Sequence, residues 1–466
     1  MAYIAFDLGT GSNAAEDGHA GACRHVNCHV EELGEDAKGI KAIVSSDGFV
    51  NFATLANSGA VRATFAVTAN LLLVVAGRLL FSVDQTGTAT VVGGIPSDGH
   101  VSMARNREAP DPTVAIVCDG LVWYYKAGVL TQNTDPDLPP PVSVTGVDGY
   151  FSFQAADGRN FASGLDDPDV NALSFASAEA KADPGIVNWT RGRDLMLGGT
   201  ETIEAWDNQG NDPYPFVRTT IVTRAEDGKF IGVLAPGGVS EGFFVGSDKT
   251  VRMLQGYQAR RISTHAVERA IADDPSPFSI SVATWDSRGH THYAISGTSW
   301  TWVYNSTTGK WYERESYGLT RWKVATAVQF GDKVILGDYA EGKLYRLDHG
   351  TYTEAGGHLI STIQTPPVHG FPYGFKHTAL YLDVVPAVGT LTTPHPMLML
   401  DWSDDGGRRS WSAQRMIDLG GPSQALKRVK VTRLGVSRSR TYRLSMSADA
   451  RRCFISAGVE VEKLRA

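Results

Sequence analysis

Four cysteines in 466 residues, Cys23, Cys28, Cys118 and Cys453, are too few to staple the chain into a disulfide scaffold. Long apolar runs are missing as well. The most apolar early stretch, Leu71 to Ala76, stops at Gly77 and Arg78, far short of the roughly 20 residues a membrane-crossing helix needs. The opening Met1-Ala2-Tyr3-Ile4 has neither the basic start nor the apolar core of a secretory leader, so export by a leader and a stable membrane anchor are not expected. Positive charge is not in excess: the net charge of −7 argues against a protein that coats nucleic acid over its whole surface. It leaves open an acidic-walled channel through which double-stranded DNA slides without sticking.

Signatures of bound cofactors are equally thin, and no cofactor is expected. Cys23, His25, Cys28 and His29 offer sulfur and nitrogen ligands, but their compressed spacing lacks the two-pair pattern of common zinc modules. His290 and His292 alternate onto one side of a strand and find no third ligand in the sequence. Gly9-Thr10-Gly11-Ser12 lacks the Lys-Ser/Thr ending of a phosphate loop. Phe6 to Gly11 echoes the opening of sugar kinases, with no later nucleotide-binding pattern to support it; a glycine turn is the plain reading.

What is present is strand and turn. Fifty glycines and 21 prolines fall without period, and ten tryptophans, 16 tyrosines and 18 phenylalanines suit sheet faces. Short apolar segments are cut again and again by glycine and Asp/Asn turns: at Leu71 to Val83 around Gly77, Val114 to Tyr125 around Asp119-Gly120, Tyr150 to Phe153 with Asp157-Gly158, and Leu195 to Trp206 around Gly198-Gly199. The same grammar returns at Gly242 to Leu254, Tyr293 to Tyr312 and Val334 to Leu347. A recurrence of about 30 to 55 residues fits the four-stranded blades of a β-propeller, whose radial closure leaves few exposed strand edges. The expected fold is all-β: a degenerate six-bladed propeller, with five or seven blades left open, and an irregular β array as the competing architecture. Asn171 to Ala182 and His265 to Ala272 read as local helices or as connections between blades.

Past residue 350 the character shifts to prolines and longer alternating strands, among them Ala379 to Val385, Met397 to Trp402, Lys427 to Leu434 and Thr441 to Met446. The expected division is residues 1–45 as an arm or added strands, 46–350 as the propeller and 351–466 as a β-sandwich-like domain. Within the last of these, Trp402, Ser403, Asp405, Gly407 and Trp411 form a hairpin box. There Asp405 is expected to accept local backbone N–H groups, Gly406 and Gly407 to supply positive φ, and the two tryptophans to pack on each other. A basic run follows: Arg408, Arg409, Arg415, Lys427, Arg428, Lys430, Arg433, Arg438, Arg440 and Arg443, against Asp418 alone. It reads either as a solvated strand face or as a surface for protein or DNA.

The stretch from Leu400 to Ser412, with Leu419-Gly420, Arg428 to Gly435 and Ser437 to Leu444 beyond it, resembles the end of the packaged-DNA stabilisation proteins, the tail-hub or nozzle family of short-tailed phages. Asp148 to Phe151, Thr202 to Gly210 and Arg261 to Glu268 extend the resemblance along the chain. It departs at Ser410, where the Ser-x-Asp-x-Gly-x-x-Trp spacing would place the tryptophan found at 411, and it weakens around Val26-Asn27 and Glu31. The resemblance implies a non-enzymatic late protein of the virion tail, present in the host cytoplasm during assembly. It further implies a hexamer below the portal–adaptor ring, contacts with tail spikes or fibres and with a tail needle or plug, retention of the packaged genome, and a conduit for its ejection. Similar hairpin boxes occur in sialidase-like propellers, so the alternative is a phage-associated glycan-binding or glycan-hydrolysing propeller. Against hydrolysis, no pair of carboxylates can be assigned the separation that acid and nucleophile require.

Overall fold

Period-2 alternation explains how the apolar runs are used. In the computed structural model, which describes residues 2–15, 21–34, 39–178, 180–385, 388–390, 393–424 and 429–465, strand Leu71–Ala76 lies in the middle of a sheet covered on both faces. Leu73 and Val75 enter the core shared with the following sheet, while Leu72, Val74 and Ala76 enter the core shared with the preceding one. Val114–Cys118 is divided in the same way: Val114, Ile116 and Cys118 point to one side, Ala115 and Val117 to the other. A strand buried on both faces has no polar side to display, so it reads as an unbroken apolar run.

Repeating this arrangement makes a ring. The first strands of successive sheets, Val61–Thr68, Val101–Arg105, Pro141–Val147, Gly185–Arg191, Val239–Ser240, Ser281–Ser287 and Val324–Phe330, line its centre. Among the described residues, seven separate apolar cores fill the gaps between neighbouring sheets. The propeller therefore has seven blades where six were expected. Its blades are compact, the first occupying only Val61 to Gly94. The seventh borrows its fourth strand from before the first blade, where Gly48–Thr54 pairs antiparallel with Lys343–Asp348.

A second correction concerns Asn171 to Ala182. Instead of a helix, the chain forms the outer strand Asp167–Ser177, paired with Arg159–Gly164 so that Phe161 faces Phe175 with ring centroids 5.3 Å apart. This cross-strand aromatic pair, together with Arg159 stacked over both rings, outweighs the helix preference of the alanines. His265–Ala272 does form an α-helix, which drives Ala266, Val267 and Ile271 into the core between the fifth and sixth blades.

The remaining strands make a two-sheet sandwich. One sheet runs Cys28–Glu32, Lys41–Ser45, Cys453–Lys463, Phe375–Val384, Val429–Ser437, with Ala2–Ala5 also paired to Cys453–Lys463. The other runs Ala22–Val26, Ser361–Gln364, Ser439–Met446, Met397–Ser403, Arg415–Asp418. Residues before 46 thus add strands to the sandwich, and Leu8, Cys28 and Ile43 share its core with Leu380, Leu400, Tyr442 and Val459. Among the described residues no helix is long and apolar enough to cross a membrane.

Candidate functional site: the arginine hairpin and the domain junction

The hairpin after Met397–Ser403 is organised by its own short side chains. Ser403 Oγ donates to Asp405 Oδ1 at 2.6 Å and accepts from the Gly407 amide at 2.9 Å. Asp405 also accepts the amides of Gly407 and Arg408 at 3.1 Å and of Arg409 at 3.0 Å, and these donors hold its carboxyl below the usual carboxylate range. Gly406 and Gly407 take φ of 70° and 84°. A Cβ on Gly407 would sit 2.7 Å from the Trp411 ring, so both space and conformation demand glycine there. With both oxygens of Asp405 engaged by the turn, this carboxylate shapes the backbone.

The tryptophans do not pack on each other; among the described residues no ring contact joins them. Each takes arginines instead. Arg415 stands 4.7 Å and Arg440 5.4 Å from the Trp402 ring, and Arg443 stacks on Trp411 at 3.9 Å. Guanidinium planes on indole faces combine dispersion with cation–π attraction, which explains the preference. The same arginines have fixed carboxylate or carbonyl partners. Arg440 pairs with Asp404 at 2.6 Å, Arg443 with Asp401 at 2.6 Å, and Arg415 donates to the carbonyls of Thr432 and Arg433. The basic run thus separates into two groups. Arg415, Arg440 and Arg443 stitch strands together, whereas Arg408, Arg409, Lys430, Arg433 and Arg438 are exposed, with Lys430 lying over Tyr381. Lys427 and Arg428 lie outside the described residues.

A second polar assembly joins the propeller to the sandwich. Val26 bridges to Glu313 across a short parallel pairing, which makes the sixth blade continuous with a sandwich sheet. Arg24 grips Glu313 with Nε 3.0 Å from Oε1, and Asn27 donates to the carbonyls of Glu315 and Ile360. Beside this junction, between the sixth and seventh blades, Glu354 Oε1 accepts from Arg314 at 3.2 Å and from the Trp322 indole at 3.1 Å. Arg314 and Glu354 are only 1% and 3% exposed, and Arg314 also stacks 4.4 Å over Trp322. Burial pushes the Glu354 carboxyl up, and Arg314 opposes that shift. None of these junction residues carries a sequence signal, because their partners meet only through the fold.

The cysteines and histidines whose spacing gave no metal site take other roles. Cys28 donates weakly to Thr362 O, and burial pushes its thiol far up and the Cys23 thiol to about 11, so both are protonated core groups. His29 from the sandwich joins His290 and His292 of the sixth blade, with ring centroids 5.1 to 6.0 Å apart. Burial, and then His292 and His290, lower His29; burial lowers His292 to about 3. Among the described residues, no group of three or more His, Cys, Asp or Glu side chains is arranged to hold a metal. Ser287, His349 and Asp47 also converge. Both Ser287 and Asp47 approach the same Nδ1 of His349, however, whereas a nucleophilic relay needs the two ring nitrogens to serve different partners.

Solved structures similar to the chain include virginiamycin B lyase from Staphylococcus aureus, at 10% identity over 64% of this chain and 97% of that one, with a TM-score of 0.45. The β-propeller domain of Cps50 (Swd1) from Myceliophteria thermophila gives 13% identity, 64% and 98% coverage and a TM-score of 0.43. No curated protein sequence matches the chain. Two family models do, both described as bacteriophage P22 Gp10: a beta-propeller over residues 37–352 and a beta-sandwich over residues 374–462. With both structural units matched in order, the chain belongs to the bacteriophage P22 Gp10 family, a family of phage structural proteins.

Proposed function

We propose that the protein is a non-enzymatic hub of a short phage tail, assembling as a hexameric ring below the portal–adaptor complex. The observation that carries this reading is the match of both units, in sequence order, to the two Gp10 models. In this role the hub helps retain packaged DNA, anchors spikes or fibres, meets the needle or plug, and lines the path of ejection. The build of the subunit suits the task. A closed ring of blades, tied to a sandwich through a shared sheet and braced between its sixth and seventh blades by a buried ion pair, gives a stiff element for a wall under internal pressure. Cyclic association then turns modest subunit contacts into a continuous conduit. Within the basic run, Arg409, Lys430, Arg433 and Arg438 are among the exposed groups available to a partner. The glycan-hydrolase reading loses its main candidate, because Asp405 is engaged by its own turn.

The test is assembly. Purified protein mixed with the portal–adaptor ring of the same virus is expected to add a six-copy ring visible by electron microscopy. A chain that stays monomeric with adaptor rings present overturns the proposal.

A further inference from the structure

The sandwich carries an apolar knob held out in water and an apolar hollow, at opposite ends of the strand Cys453–Lys463. Phe371 is 93% exposed, the most exposed large apolar side chain among the described residues. It stands on a short turn that is tied down at both ends. Val368–His369 pairs with Arg440 and Ser439, and the Tyr373 amide donates to Gly370 O at 2.9 Å. The Leu464 amide donates to Gly374 O at 2.9 Å, and Lys463 lies 3.5 Å over the Tyr373 ring. Gly370 packs so closely on the Phe375 ring that a Cβ there would collide with it. A turn braced in this way presents its phenylalanine with little backbone entropy left to lose on binding.

The hollow opens at the other end of that strand, whose one edge is shared by two partners. Lys41–Ser45 pairs with Cys453 and Phe454, and Ala2–Ala5 pairs with Gly458 to Val461. In the notch between them a cavity of about 320 Å³ is lined by Phe6, Leu8, Ile40, Ile43, Phe454 and Ile455. Ile40 stands 68% exposed on its rim. About 150 Å³ suffices to hold a benzene ring, so a phenylalanine side chain fits. Phe375, just after the turn, pairs with Lys463, and the run from there back to Phe454 spans about 30 Å of extended strand. Phe371 therefore cannot reach the hollow of its own chain. The two ends are also oppositely charged. Lys376, Arg438, Lys463 and Arg465 surround the turn, against Glu462, which pairs with Lys376. Near the hollow, Asp7, Glu31, Glu32 and Asp383 outnumber Lys41 and Arg451.

We propose that the Phe371 turn of one copy inserts into the hollow beside Ile40 of the next copy, joining their sandwiches head to tail. A ring of more than two copies needs two different surfaces that fit each other, and a knob and a hollow at opposite ends of one sheet supply them. A buried aromatic anchor inside a polar rim is the usual build of such a contact, and the opposed charges fix which end meets which. The inference rests on the tail-hub reading for its ring and adds the surfaces that close it.

The test uses the full chain and the portal–adaptor ring. Phe371→Ala and Ile40→Glu, both at exposed positions, are each expected to leave the thermal midpoint close to that of the parent. Each is expected to raise the protein concentration needed for half-maximal ring addition by about tenfold or more. His369→Cys combined with Asp7→Cys places one thiol beside the knob and one on the rim of the hollow, while the native cysteines are buried. Within assembled rings a short bis-maleimide is expected to link these chains into multiples of one chain, and to link neither single variant. Rings that form equally well from Phe371→Ala, or that yield no links in the double variant, overturn the contact and leave the hub reading in place. Loss of ring addition by Phe371→Ala without such links would assign the turn to a different tail protein and overturn the contact as well. A parent chain that adds no ring overturns the hub reading and this contact with it.

Discussion

The propeller and the sandwich reach stability by different routes. The propeller divides its apolar material among seven inter-blade cores, each built from sheets adjacent in space. The sandwich has one core, assembled from strands far apart in the chain, and reinforces it from outside with arginines laid on tryptophans and paired to aspartates. Repetition lets the propeller rely on many similar interfaces, whereas the sandwich depends on unique contacts. Damage should therefore spread differently in the two units.

The largest effect is expected at ring closure. Phe49, fully buried on the borrowed strand and 4.6 Å from the Tyr345 ring, joins the core between the sixth and seventh blades. Phe49→Ala should cost about 4 kcal/mol in chemical denaturation and open the blade on which the circle depends. Next comes the buried ion pair between the sixth and seventh blades. Arg314→Met should cost about 3 kcal/mol by stranding Glu354 in the interior, and Arg314→Met with Glu354→Gln should recover much of that loss. Failure of the double substitution to recover stability would show that stacking of Arg314 on Trp322 matters more than its charge.

Acid offers a finer comparison, because each unit holds a buried neutral histidine. His292 in the propeller is lowered by burial to about 3, and His377 in the sandwich, bonded to Tyr442 and Ser437, is lowered by burial to about 4. For such groups the unfolded chain protonates first. Stability is full above the unfolded pKa of about 6.5 and falls with pH toward about 3 for His292 and about 4 for His377, by about 1.4 kcal/mol per pH unit for each. His377→Gln should reduce the acid limb of the sandwich by one such contribution, leaving that of His25, also lowered by burial to about 4, and should leave the limb of the propeller, as followed by hydrogen exchange in each unit. Ser403→Ala, which removes one hub of the hairpin network, should cost about 1 kcal/mol and loosen only the sandwich hairpin. Smallest of all, Arg409→Ser and Arg438→Ser should change stability by less than about 0.5 kcal/mol, so that any loss of ring assembly in these variants reports on a partner.

The strands were legible wherever an apolar run had to serve two cores, as at Leu71 to Ala76 and Val114 to Cys118. The blade count was less so, because a strand borrowed from before the first repeat and a fifth blade with strands as short as Val239–Ser240 blur the period. The Asp167–Ser177 strand was obscured by its alanines, since the Phe161–Phe175 pairing that fixes it is invisible to local preference. In the hairpin, Ser403, Asp405 and Gly407 act on their neighbours in the chain, and their contacts follow from spacing. The fate of the basic run does not. Whether Arg440 and Arg443 face solvent or Asp404 and Asp401 depends on the register of Met397–Ser403 against Ser439–Met446.

The closing strand has a further consequence for synthesis. Gly48–Thr54 leaves the ribosome early, yet its partner Lys343–Asp348 follows only after every intervening blade. The sandwich must likewise hold Cys28–Glu32 and Lys41–Ser45 until Cys453–Lys463 arrives. The propeller can close only once Lys343–Asp348 has emerged, and the sandwich only once Cys453–Lys463 has, so a nascent chain presents unpaired strand edges until each partner arrives. A polypeptide cut short before Cys453–Lys463 therefore lacks the strand that joins its early segments to the rest of the sandwich.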